Sequence, residues 1–229
     1  MKKLILLSAL FFSIQAWAGD DKYYSMMQQN LASLDTCKTT TSLQLVANKF
    51  ERIYTAMSES DWLAPYYASL SYVMMTFVGK EKDAATKDSY LDKAQALLDK
   101  IKAKKSSYPL AMDESEIMVL QGYIQQARLI VDPPNRGRQY GPLQKETFEK
   151  AKKLNPENPR VYYLSGQNIF YTPAMWGGGK DKACPILKVA AEKYKAEKTM
   201  LASKNTPEYT IVPKWGSDRT DLLLKECEK

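Results

Sequence analysis

Apolar residues recur at spacings of three and four along most of the chain, and few segments alternate as strands do. This spacing places the apolar side chains on one face of a helix. The pattern predicts helices at 22–34, 42–58, 62–77, 88–103, 114–130, 142–154, 159–171, 181–199 and 218–228. Pro65, Pro142 and Pro185 fall in the first turns of predicted helices, where proline is tolerated. We therefore expect an all-α protein.

The first 18 residues have a different pattern. Lys2 and Lys3 precede an almost unbroken apolar run, which ends in Ala16-Trp17-Ala18. This arrangement predicts a secretory signal peptide that is cleaved near Ala18. The run is short for a membrane span, so we expect no transmembrane segment in the mature chain. The expected product is a single domain over 19–229, located in the periplasm or secreted.

Pairs of helices repeat along the chain. Phe148 and Ala151 are followed by Asn155-Pro156-Glu157-Asn158-Pro159, in which one proline ends a helix and the other begins the next. Ala68, Gly122 and Gly166 supply a small residue in the first helix of successive pairs, where the partner helix crosses. The predicted units cover about 61–103, 114–156 and 159–199, with a C-terminal capping helix at 218–228.

This repeat resembles the tetratricopeptide superfamily, most clearly over 148–170. The resemblance implies a right-handed array of helical hairpins, with an N-terminal helix pair before it. The segments LVANKFERIY, LNPENPRVYYLSGQ and YTPAMWGGGKDKA are similar to a secreted tetratricopeptide-like family of Gram-negative bacteria whose function is unassigned. AMWGGGKDKACPILKVA is also similar to the periplasmic T component associated with TRAP-type transporters, whose helical repeats surround a ligand-sized cavity.

Two unusual loops are predicted between paired helices. In the first, 132–141, Arg136 and Arg138 offer a grip for a carboxylate or phosphate, and Tyr140 is a further candidate binding residue. Alternatively, the arginines pair with Asp132 and backbone carbonyl groups to hold the loop. Insertions at the same place in successive repeats emerge on one edge, so we expect this loop to lie beside the second one.

The second loop is Trp176-Gly177-Gly178-Gly179-Lys180. Asp181 follows the lysine, where a nucleotide-binding loop has Ser or Thr, so we interpret the glycines as a backbone turn. In that interpretation Asp181 caps the next helix and Trp176 packs the loop down. Trp176 and Lys180 remain candidate binding residues at the rim of a groove.

Tyrosines are frequent in the first helices of the units. Tyr67, Tyr123 and Tyr163 are candidates for the concave face that such helices line, where a phenol suits contact with a peptide or ligand. The alternative is that these rings fill the space between helices, and we expect that for most of the tyrosines.

The three cysteines allow one disulfide within the chain. If the last helix folds back along helix 181–199, Cys184 and Cys227 lie together, and this is the preferred pair. A bond between Cys37 and Cys227 is the alternative.

The chain contains no histidine, which excludes Ser-His-Asp and Cys-His catalysis and imidazole zinc sites. The net charge of +7 falls to +5 without Lys2 and Lys3, and it is diffuse, so nucleic acid is not expected as a partner. We expect no enzyme and no cofactor, but a binding or scaffold module whose concave groove takes a peptide segment or partner protein. The alternative function is small-ligand binding of the T-component type. The oligomeric state stays open.

Overall fold

The computed structural model describes residues 21–57, 61–78, 83–104 and 111–229. Residues 21–35 are helical and are named α1. The helices that follow are α2 Thr40–Ala56, α3 Leu63–Val78, α4 Ala84–Ala103, α5 Glu114–Val131, α6 Pro133–Leu154, α7 Pro159–Tyr171, α8 Lys180–Ala202, the one-turn α9 Glu208–Ile211, and α10 Ser217–Cys227. The all-α prediction is confirmed, and no strand occurs among these residues. The predicted signal peptide lies outside them.

Consecutive helices pack as hairpins. α3 packs on α4, α5 on α6, and α7 on α8, while α2 packs on α3 and α10 returns to α8. These three hairpins occupy the predicted repeat units. The assignment to the tetratricopeptide superfamily and the single-domain assignment stay predictions.

Small residues allow the hairpins to close. A Cβ atom added to Gly122 in α5 would lie 2.3 Å from the ring of Phe148 in α6. One added to Gly166 in α7 would lie 2.8 Å from the side chain of Leu187 in α8. Both separations are far below van der Waals contact, so glycine is required wherever the paired side chain is this large.

The predicted loop at 132–141 is wrong, because α6 begins at Pro133 rather than near Pro142. Pro133 and Pro134 occupy the first turn, where their missing N–H groups cost little. Pro142 lies inside the helix and removes one backbone hydrogen bond. Packing on α5 and the hydrogen bonds from Arg136 to Asp88 of α4 hold the helix in spite of this proline and the two glycines, so tertiary contacts outweigh the weak local propensity.

Residues 208–216 return across the first helices of the three hairpins, and we name them the return segment. The Trp215 ring stacks on Tyr123 of α5, with the centroids 5.8 Å apart, and meets Tyr163 of α7 edge-on. Its Nε1–H donates to the Tyr66 hydroxyl oxygen of α3 at 2.9 Å. Tyr67 donates to the Ile211 carbonyl group at 2.9 Å, and Ile211 is fully buried.

A disulfide and a glycine fix the position of α10 after the return segment. A disulfide joins Cys184 at the start of α8 to Cys227 at the end of α10, which is the pairing that the sequence favoured, and Cys37 is left as a thiol. Gly216, the last residue of the segment, directly precedes α10 with a φ of 105°, and an added Cβ would lie 2.1 Å from the Tyr194 hydroxyl. Both the backbone conformation and the space therefore require glycine there.

Candidate binding groove

A large groove lies between the second and third hairpins, with a volume of about 1870 Å³. One wall is the outer face of α6, and the other is formed by the end of α7, residues 171–177 and the start of α8. Phe77, Leu129 and Phe148 contribute to an apolar floor. Ligand pockets for drug-sized molecules usually measure about 300–1,000 Å³. The groove exceeds this range, so it can hold a large ligand and leave part of that ligand exposed to solvent.

Exposed aromatic rings mark the α7 side of the groove. Tyr171 is 70% exposed and Trp176 is 72% exposed, although both are large apolar side chains. Met175, beside them, is 83% exposed. Clusters of this kind are unusual on a soluble monomer and are typical of binding surfaces.

A row of cations marks the α6 side. Arg138, Lys145 and Lys152 all line the groove. They are spaced seven residues apart, so they share one helix face and lie about 10 Å apart along its axis. In the described part of the chain none of the three forms an ion pair, although Lys152 lies 5.2 Å from the centre of the Tyr162 ring. One acid, Glu149, lines the same wall.

Two buried amides lie at the floor. Gln126 and Gln144 line the groove and are each 2% exposed, and their Oε1 atoms have no hydrogen-bond partner among the described residues. An unpartnered buried amide oxygen costs free energy, so a donor group from a ligand or water would be favoured there.

The two predicted loop segments meet at this groove, but they contribute unequally. Arg138 and Trp176 both line it. Arg136 does not, because its guanidinium donates from Nη1 and Nη2 to the two carboxylate oxygens of Asp88 in α4, at 2.7 and 2.6 Å. The Arg136 hydrogen bonds lower the pKa of the Asp88 carboxyl. Arg136 therefore ties α6 to α4. Of the alternative partners inferred from the sequence, Asp132 is not taken, whereas the backbone carbonyl group of Arg128 accepts from Arg136 Nη1 at 3.4 Å.

Two other candidates, Lys180 and Tyr140, do not line the groove. Lys180 donates to the Glu226 carbonyl group at 2.7 Å, which holds the end of α10 against the start of α8. Tyr140 is half-buried and does not line the groove.

The glycine turn forms as expected, but its flanking residues do not behave as predicted. Gly177 and Gly179 have φ values of 85° and 110°. Gly179 itself precedes α8 and no side chain caps the helix, so Asp181 lies in the first turn rather than capping it. Trp176 does not pack the turn down, because its ring points toward the groove and solvent.

The tyrosines of the predicted concave face are covered by the chain itself. Tyr67, Tyr123 and Tyr163 are 2%, 8% and 3% exposed. They contact the return segment, which covers these rings in the part of the chain that the structure describes. Burial raises the pKa of Tyr163 to about 12, with Arg219 acting in the opposite direction.

A buried ionic cluster was missed from the sequence. Glu116 of α5 is 2% exposed and accepts hydrogen bonds from Arg160 Nε at 2.6 Å, Asn158 Nδ2 at 2.7 Å and the Tyr66 hydroxyl at 2.7 Å. Arg160 also pairs with Glu197 of α8. In the sequence Glu116 is only an acid in the first turn of a predicted helix, a position that suits acids. The available signal was Arg160, a cation directly before the apolar stripe of α7, which implies a buried acidic partner.

The described residues show neither a candidate metal site nor a candidate membrane-spanning helix. Within the described ranges no three His, Cys, Asp or Glu side chains are grouped to hold a metal ion. Over the same residues, no helix has the length and hydropathy needed to cross a membrane.

Comparison with known proteins identifies a relative of known structure. No family model matches the sequence, and no curated protein matches it. Among solved structures, the HusA haemophore from Porphyromonas gingivalis superposes with a TM-score of 0.72 at 32% sequence identity. The match covers 90% of this chain and 92% of that chain, so the likeness extends over both proteins rather than over one repeat. The chain belongs to the family of the HusA haemophore.

Proposed function

We propose that this protein is an exported, non-catalytic binding protein whose groove holds haem. The observation that carries the proposal is the pairing of exposed aromatic rings on one wall with a row of cations free of ion pairs on the other, within the described residues. The relative named a haemophore supports the choice of ligand.

The chemistry of haem suits both walls. Its macrocycle is flat and apolar on both faces, and it carries two carboxylates on one edge. Trp176 and Tyr171 offer rings that stack on such a face. Arg138 and Lys145 offer charge-assisted hydrogen bonds to the carboxylates.

Iron coordination is not the expected source of affinity. The whole sequence contains no histidine, the commonest haem ligand of globins and peroxidases. Tyr162 and Tyr171 are the phenols in the groove, and phenolate is an iron ligand in some haem proteins. Because stacking and carboxylate contacts need no metal, we expect metal-free protoporphyrin to bind within about tenfold of haem, or about 1.4 kcal/mol.

A small planar ligand is favoured over a peptide in the predicted concave groove. The return segment covers Tyr67, Tyr123 and Tyr163, so a partner would have to displace it. The groove between the hairpins needs no such displacement. This moves the proposal toward the small-ligand alternative.

Export is part of the proposal. Lys2, Lys3 and the apolar run before Ala18 form a signal peptide pattern. The Cys184–Cys227 disulfide is of the kind that persists in oxidising compartments such as the periplasm. Cell fractionation with mass spectrometry of the mature N-terminus tests this, and recovery of an uncleaved cytosolic chain would refute it.

An absorbance titration with haemin tests the binding site. We expect saturable binding by the wild type, and binding about tenfold or more weaker for Arg138→Glu/Lys145→Glu, since two attractive charges become repulsive. Trp176→Ala should also weaken binding by removing a stacking surface.

The matched control is Lys150→Glu/Lys153→Glu, which makes the same charge change on the other face of α6. Its affinity for haemin should equal that of the wild type. If both double variants bound haemin equally weakly, the loss of affinity would be an effect of net charge alone. If the groove variant bound haemin as tightly as wild type, this groove would not be the binding site.

A further inference from the structure

A second cavity lies on the other side of α6, between α6, the start of α5 and the end of α4. Its volume is about 450 Å³, which is in the range of small-molecule sites. Met112, Ile117, Met118 and Leu154 form an almost entirely apolar floor. Leu154 is 51% exposed, so part of this floor is open to solvent.

Three lysines surround this floor, and we name the cavity the lysine pocket. Lys102 comes from the end of α4, and Lys150 and Lys153 come from the last turns of α6. Lys102 is half-buried, donates to the Gln121 side-chain oxygen and lies 3.9 Å from Asp99. Burial lowers the pKa of its ammonium group.

The charges at the rim do not cancel. Lys150 pairs with Glu146 at 2.8 Å, but both side chains are more than 60% exposed, so the pair is weak. Lys153 forms no ion pair within the described residues. Among the described residues that line the pocket, Glu114 is the one acid, and it lies in the first turn of α5. These described lining residues therefore carry three positive charges and one negative charge.

We propose that the lysine pocket binds a long-chain fatty acid, with the aliphatic chain on the methionine-rich floor and the carboxylate among Lys102, Lys150 and Lys153. An apolar cavity with one cationic edge is complementary to a molecule with one aliphatic chain and one anionic end. Methionine side chains adapt to flexible chains because they are unbranched and polarisable.

This site is separate from the groove. Along α6, Lys150, Lys153 and Leu154 face the pocket, whereas Arg138, Lys145 and Lys152 face the groove. At 100° per residue these two sets lie on different faces of the helix. The inference therefore does not rest on haem binding, and either can fail without the other.

Two probes of equal chain length test the proposal. Dodecanoate and dodecyltrimethylammonium are titrated by calorimetry into wild type, Lys150→Glu/Lys153→Glu and Arg138→Glu/Lys145→Glu. We expect wild type to bind dodecanoate at least tenfold more tightly than the cation. The pocket variant should lose about tenfold in dodecanoate affinity, and the groove variant should bind as wild type does.

Methionine methyl NMR locates the probe. On addition of dodecanoate, the methyl signals of Met112 and Met118 should shift, while that of Met175, beside the groove, should not. Circular dichroism confirms that both charge variants are folded.

Three results would overturn the proposal: equal affinity for the anion and the cation, loss of dodecanoate binding in the groove variant alone, or unshifted signals from Met112 and Met118 at saturation.

Discussion

Replacing Trp215 with alanine tests whether the return segment is held by specific contacts. The side chain stacks on Tyr123, meets Tyr163 edge-on and donates to the Tyr66 hydroxyl at 2.9 Å. The Trp215 carbonyl group accepts from Tyr194 at 3.0 Å. Truncation to alanine removes the first three contacts and leaves a cavity between three helices.

The expected cost follows from these contacts. Replacement of a core tryptophan or phenylalanine by alanine costs about 3–5 kcal/mol, and Trp215 is half-buried, which places it near 3 kcal/mol. Trp215→Phe keeps an aromatic ring but removes the Nε1–H donor, so about 1 kcal/mol is expected. For a chain of this size, 3 kcal/mol lowers Tm by roughly 6–12 °C.

The exposed Trp176 supplies the matched control. Trp176→Ala deletes the same side chain from a site that is 72% exposed, so its effect should stay within about 0.5 kcal/mol. Urea unfolding followed by circular dichroism measures all three variants without depending on tryptophan fluorescence. If Trp215→Ala were no more destabilising than Trp176→Ala, the segment would not be anchored in solution as it is in the structure.

Three further predictions concern the scaffold. The Arg136 hydrogen bonds lower the pKa of Asp88, so wild type should be about 1 kcal/mol more stable than Asp88→Asn above about pH 5. This difference should vanish as the pH falls through the lowered pKa of Asp88. Urea unfolding at several pH values tests this, and a difference that does not change in acid would contradict it. Gly122→Ala should cost about 1–3 kcal/mol by overpacking Phe148, whereas Gly137→Ala, with nothing near its added Cβ, should stabilise α6 by about 0.5–1 kcal/mol; equal Tm shifts would refute the packing argument. Replacing Cys184 and Cys227 by alanine should cost about 3–4 kcal/mol by freeing a loop of 43 residues, and thiol titration of the unfolded wild type should give one thiol before reduction and three after.

The helices were predictable where local signals agree. α5 begins after Asp113, which caps it by accepting from the Ser115 and Glu116 backbone N–H groups. α7 begins at Pro159 after the Asn158 cap, as the Asn-Pro pattern indicates. Gly122 was predicted as a small residue where the partner helix crosses, and the structure places Phe148 of that helix against it.

The site was harder to predict because it depends on contacts distant in sequence. Two prolines and two glycines near Arg136 suggested a loop, but the pairing of Arg136 with Asp88, 48 residues earlier, helps to hold a helix there. The cover over Tyr67 and Tyr123 comes from the far end of the chain. No local pattern in residues 208–216 shows which surface they will occupy. Arg138 and Trp176 were predicted to be neighbours from repeat geometry, and both line the groove.

The return segment also changes how the chain is expected to fold. In a helical repeat array most contacts are local, so folding can begin in any repeat and spread to the next. Here Gln28 of α1 donates to Thr210 at 2.8 Å, and Tyr24 donates to Glu208. These contacts join residues more than 180 positions apart, so they are made only after the last hairpin has been synthesised. A truncated chain that stops before residue 208 would retain its hairpins but would leave a row of aromatic rings uncovered, whereas the complete chain closes on itself and should unfold in one cooperative step.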